Sequence, residues 1–116
     1  MSALVKTDMQ LLVVALYDEA FIDDVILGLT SVSGAQVTVI DAVTGSQNLS
    51  GYIPMFAEII GVTTRRYCKI LLTCVKDDSP AARFVEALQE AGIDFSGDSL
   101  GEVYAIPLSG AIVLND

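Results

Sequence analysis

Three short runs in the chain, QLLVVALY (10–17), CKILLTCVK (68–76) and EVYAIPL (102–108), are apolar at nearly every position rather than at every second one. A β-strand with one face in water alternates apolar with polar residues, so short unbroken runs of this kind read as strands covered on both faces. Acidic Asp18 and Glu19 cut off the first run, which argues against a helix there. A chain built on such strands must place something against each side of a sheet.

Helical stripes lie between the runs. After the first, Phe21, Val25 and Leu29 fall on one side of a helix with Ile22 and Ile26 beside them, Asp23 and Asp24 suit its positive end, and Gly34 stops it. Ser79 as a cap and Pro80 at the first helical position open a second helix, whose apolar face is Ala81, Phe84, Val85, Leu88 and Ala91, and Gly92 closes it. VTVIDAV (37–43) is β-branched and partly alternating, a further strand that Thr44 and Gly45 release, and GAIVL (110–114) offers a short terminal strand. Pro107 suits a strand edge or end. The order strand, helix, strand, long loop, strand, helix, strand predicts an α+β fold in one domain spanning 1–116. Its plan is ferredoxin-like: a split βαβ repeat forming a four-stranded antiparallel sheet with both helices on one face and a long loop, about 44–67, between strands two and three.

The helices cover one face only. Leaving a few hundred Å² of the other, apolar face in water would forgo several kcal/mol at about 25 cal/mol per Å². Two covers are open: copies of the chain packed sheet to sheet around a symmetry axis, or residues 52–60 folded back over their own sheet. Within the long loop, YIPMFAEIIG places Pro54 at a helix start with Phe56, Ile59 and Ile60 on one side. Tyr52, Met55 and Phe56 are the candidate contacts to a partner protein, the alternative being that this apolar side packs on its own subunit.

Composition excludes several functions. The net charge of −9 rests on 15 acidic residues against Lys6, Arg65, Arg66, Lys69, Lys76 and Arg83, with no basic stripe for a nucleic-acid backbone. The absence of histidine removes histidine triads and proton shuttles, and Cys68 and Cys74, on one strand and roughly 20 Å apart, make neither a disulfide nor a zinc cage. For a base and a nucleophile the sequence supplies only carboxylates, tyrosines and two thiols expected inside a sheet, so no catalytic residue and no metal site are assigned and the chain is read as a non-enzyme. No apolar run approaches the length that spans a bilayer or the core of a signal peptide, so a cytoplasmic protein is expected. The one basic cluster, Arg65 and Arg66 beside Thr63 and Thr64, offers either an anion clamp or surface ion pairs. Gly45, Ser46 and Gln47 suit either a ligand cradle or a strand-ending turn, and Asp98, Ser99 and Gly101 face the same choice.

The element order, the long second connection and the ending EVYAIPL after a glycine-bearing loop resemble the nitrogen-regulatory PII-like superfamily of trimeric signalling proteins. In that family the second connection is a mobile loop that touches target proteins, membrane proteins among them. Small effectors, often adenine nucleotides, bind in clefts between subunits at the loop's base and beside a glycine-bearing loop before strand four. The resemblance thus implies a homotrimer, a small-molecule effector, a target protein met by the long loop, and ligand contacts from Gly45, Ser46, Gln47 and Gly101, to which the basic cluster adds Arg65 as a candidate. The family's Gly-Asp-Gly-Lys corresponds to Ser99, Leu100, Gly101 and Glu102, and its two terminal arginines to Val113 and Asn115. A carboxylate in place of a phosphate-binding lysine favours an adenosine, a nucleotide of lower charge or another metabolite over a triphosphate. The other readings are a metabolite-binding module similar to the amino-acid-binding ACT domains, and a non-catalytic structural assembly protein.

Overall fold

The structure, a computed structural model, describes residues 2–6, 8–34, 36–47, 63–76 and 79–115. Its elements in chain order are β1 (Ser2–Lys6), β2 (Gln10–Leu16), a 3-10 turn (Glu19–Phe21), α1 (Ile22–Ser33), β3 (Thr38–Gln47), β4 (Thr63–Val75), α2 (Pro80–Glu90), β5 (Gly101–Pro107) and β6 (Ala111–Asn115). Four strands form an antiparallel sheet in the order β3-β4-β2-β5, and β1 pairs with β6 in a separate two-stranded ribbon. The strand order and the two helices are those of the predicted ferredoxin-like α+β plan.

Side chains alternate across the sheet, and the helix side takes the even residues of β2 with the odd residues of β4. Leu12, Val14 and Leu16 are fully buried, in register with Thr73, Leu71 and Lys69 of β4. Against Leu12, Val14, Leu71 and Val75 pack Val25 and Leu29 of α1 and Phe84 and Leu88 of α2, with Phe95 and Leu100 closing the end of the core. Phe84 meets Phe95 edge to face, with ring centroids 5.5 Å apart at 75°, the geometry that suits the ring quadrupoles. Buried Thr73 donates its hydroxyl hydrogen to the Gln36 carbonyl at 3.1 Å, so no bare hydroxyl is left in the core.

Both helices form for the reasons legible in their sequences. Asp18 accepts from the Ala20 amide at 3.0 Å to start the 3-10 turn that leads into α1. Gly34 ends α1 in the left-handed conformation, its N–H donating to the Thr30 carbonyl at 2.7 Å. Pro80 stands in the first turn of α2, and Gly92, at φ 82°, turns the chain away after it, but Ser79, at the expected N-cap position, makes no side-chain capping hydrogen bond. Ala91, the last member of the predicted apolar face, lies past the helix end and is exposed. Gly28 allows the two helices to approach: a Cβ there would sit 3.3 Å from both Leu88 and Phe84.

The structure departs from the sequence reading at two places. β3 continues through Thr44, Gly45, Ser46 and Gln47, and β4 begins at Thr63, so the connection spans 48–62 rather than 44–67. Pairing explains this: Thr44↔Arg66 through Gln47↔Thr63 gives the polar residues ladder partners that composition cannot foresee. The opening residues form β1, which exists only because β6 lies opposite. The predicted loop helix, with Tyr52, Met55 and Phe56, lies outside the described residues.

Truncating Leu71 to Ala removes a fully buried side chain at the centre of the sheet and should cost about 2–5 kcal/mol in urea unfolding. Leu27→Ala, at a residue 68% exposed, should stay within roughly 0.5 kcal/mol of the native chain.

Candidate functional site

The sheet face opposite the helices remains apolar. Leu11 and Val13 of β2 and Ile70, Leu72 and Cys74 of β4 are partly exposed there, with Ile40 of β3 and Tyr104 and Ile106 of β5 exposed by 45%, 50% and 46%. They form rows across the strands: Ile40, Ile70 and Ala15; then Leu72, Val13 and Tyr104; then Cys74, Leu11 and Ile106. The small side chains of Ala15 and Cys68 sink between larger neighbours and are nearly closed off. Both cysteines are free.

At one end this apolar face turns polar. The Arg66 guanidinium lies over the Tyr17 ring, 4.2 Å from its centroid, a cation–π contact. Beside it the Thr44 hydroxyl and the Cys68 thiol share a 3.5 Å hydrogen bond. On β5 the Tyr104 hydroxyl donates to Glu102. That hydrogen bond, followed by desolvation and the charges of Glu102 and Tyr17, pushes the Tyr104 phenol above its ordinary 10.0. Tyr17, Arg66, Glu102 and Tyr104 thus supply a guanidinium, a carboxylate and two aromatic faces to one margin of the open face. On the helix side, Lys69 bonds Asp41 and lies 3.6 Å from Glu19. The Asp41 hydrogen bond is the main cause of its pKa being raised.

The residues singled out in the sequence fall into two groups. Gly45, Ser46, Gln47 and Arg65 come together on the β3–β4 arm, where Gly45 pairs with Arg65 and Ser46 and Gln47 with Thr64 and Thr63. Gly101 stands elsewhere, at the rung of Leu16, Lys69 and Asp41. From there to Gly45 is four rungs and three strand spacings, roughly 13 Å along and 14 Å across. One chain therefore does not bring the two glycines into one cradle.

The glycines also differ in what they require. A Cβ at 101 would run into the Ala15 carbonyl oxygen and lie 3.1 Å from Phe95, so packing accounts for Gly101. At Gly45 no atom lies within 4 Å of a Cβ position and φ is not positive, so the described fold itself does not need a glycine there.

Tyr17 and Tyr104 were not among the residues the sequence pointed to. Each reads as part of an apolar strand run, and their meeting with Arg66 and Glu102 depends on the pairing of β2 with β4 and β5. Among the described residues, no helix is long and apolar enough to cross a membrane, and no group of three cysteine, aspartate or glutamate residues could hold a metal ion.

No protein-family model matches this chain, and no curated protein matches its sequence.

Three outcomes test this geometry. Gly45→Ala should raise stability by about 0.4–1 kcal/mol through the unfolded chain, whereas Gly101→Ala should lower it by about 1–3 kcal/mol through the clash with Ala15; chemical denaturation reads both. In an alkaline titration followed by tyrosinate absorbance, Tyr104→Phe should remove a component that titrates above 10.0. Because the phenol form holds the Glu102 bond, that stabilisation is complete below 10.0 and is lost as pH rises through the higher folded-state value.

Proposed function

We propose that this chain is a non-catalytic, PII-like regulatory module, in which copies close over the open sheet face and a small effector is held at the clefts between them. The observation that carries the reading is the open face itself: a contiguous apolar surface of Leu11, Val13, Ile40, Ile70, Leu72, Tyr104 and Ile106 that no described residue covers. Burying it against a second copy turns several kcal/mol of unfavourable exposure into association energy. A homotrimer is the assembly that the PII-like likeness suggests.

The separation of Gly45 from Gly101 fits a site made by two subunits, with the β3–β4 arm of one copy meeting the β5 margin of another. Gly45 leaves room for close approach of a ligand on the helix-side face of the arm, and Arg66 over Tyr17 provides a positive, planar surface on its open face. Glu102 at the same margin disfavours a highly charged triphosphate and suits a ligand offering hydrogen-bond donors, such as an adenosine. The effector then biases the connection at 48–62, which meets a target protein; such a coupling needs a difference in effector affinity between loop states of roughly 1–3 kcal/mol. An ACT-like amino-acid-binding module uses the same face and margin with a different ligand.

Sedimentation at micromolar concentration should show an oligomer for the native chain and a folded monomer for Leu72→Glu, which puts a charge in the middle of the open face. A thermal-shift panel of adenosine, adenine nucleotides with and without Mg²⁺, and amino acids then identifies the effector, since a binder of the native state raises the melting temperature. Gln47→Ala should weaken that binder without changing the assembly. A native chain that sediments as a monomer removes the proposed interface, and an oligomer that answers to none of the panel favours a structural assembly protein.

A further inference from the structure

The terminal ribbon and the sheet form one interrupted ladder. β1 pairs with β6 from Ser2↔Asn115 to Lys6↔Ala111, and β2 pairs with β5 from Gln10↔Pro107 to Leu16↔Gly101. The two registers are in phase: each step forward on one strand is a step back on the other, and the Leu108 N–H to Met9 carbonyl bond, at 3.0 Å, bridges the gap between them. The ribbon therefore continues the β2–β5 half of the sheet beyond Val75, where β4 has ended. Neither β1 nor β6 packs appreciably on any other described element, and Ile112 is 75% exposed. At the opposite end the β3–β4 half runs on beyond Leu16. There β4 from Thr63 to Cys68 keeps its β3 partners, and among the described residues no strand lies along its other edge.

A lone two-stranded ribbon is marginally stable in water, and a free strand edge is a template for another strand. We infer that the β1–β6 ribbon is an assembly arm, whose outer β1 edge pairs with the free Thr63–Cys68 edge of β4 in a second copy of this chain. The lengths agree: β1 has five residues and the open stretch of β4 runs from 63 to 68. In a chain of net charge −9, neither stretch, nor β6, carries a carboxylate, so the two edges meet away from the acidic residues; the pairing brings Lys6 of one copy near Arg65 and Arg66 of the other, a like-charge cost that the ladder hydrogen bonds have to outweigh. The contact is head to tail, the kind that closes into a ring when the rotation between copies allows. It goes beyond the open-face packing because it is made through main-chain edges, and it places the partner's ribbon beside Arg66 and the β3–β4 arm.

Backbone hydrogen exchange on the full chain tests it, compared between concentrations at which sedimentation shows monomer and assembly. Amides in both 2–6 and 63–68 should slow at least tenfold on assembly. Leu4→Pro and Val5→Pro remove neighbouring N–H groups that point to opposite edges of β1. The one facing outward should weaken association at least tenfold while the unfolding of the four-stranded core is unchanged. An assembly in which 2–6 or 63–68 exchanges as fast as in the monomer, or in which both proline variants associate normally, overturns the arm. If Leu72→Glu still abolishes that assembly, the open-face reading stands without it; a native chain that never associates overturns both.

Discussion

Everything in this molecule depends on β2 being held along both edges and on one face. It is hydrogen-bonded to β4 along one edge and β5 along the other, Leu12, Val14 and Leu16 face the helices, and Leu11 and Val13 face the open side. A strand apolar on both faces cannot sit at a sheet edge or under one layer without leaving one of those faces wet. Its place in the middle of the sheet settles where β4 and β5 go, and the two crossovers then put α1 and α2 on the same side.

The consequence is an asymmetric domain. The helix side is filled over β2 and its paired part of β4, where Phe84, Phe95 and the aliphatic core pack, Thr73 finds a carbonyl and Gly28 lets the helices close, while Val39, Val43 and Tyr67 on the β3–β4 half of that face stay exposed. The opposite side holds a comparable stretch of apolar side chains with nothing described above them, edged by the Tyr17–Arg66 and Tyr104–Glu102 pairs. The proposed regulatory role uses this asymmetry, since a surface that association must cover also creates clefts at its margins. Two ladders that outrun the sheet at opposite ends add free edges to the free face, and each is a place where copies of one chain can recognise one another.

The helices and the order of strands were legible in the sequence because their signals are local. Pro80, Gly34, Gly92 and the spacing of Val25 and Leu29, or of Phe84 and Leu88, act within a turn or two of themselves. The ends of β3 and β4 were not legible, because Ser46 and Gln47 look like loop residues until Thr64 and Thr63 are opposite them. β1 was hidden for the same reason, its partner being at the other end of the chain. Of the candidate site, the grouping of Gly45, Ser46, Gln47 and Arg65 was visible as a cluster on either side of one connection. The role of Gly101 in clearing the Ala15 carbonyl was not.

By itself, the sequence determined that the chain makes a sheet layered by two helices on one side, with a second side too apolar for water, because burial and helix termination are written in the residues themselves. Only the tertiary structure decided which side chains share a face, how far the arms project, and that Arg66 rests on Tyr17 while Tyr104 bonds Glu102. Those facts depend on strand register, and register is set by contacts between residues far apart along the chain.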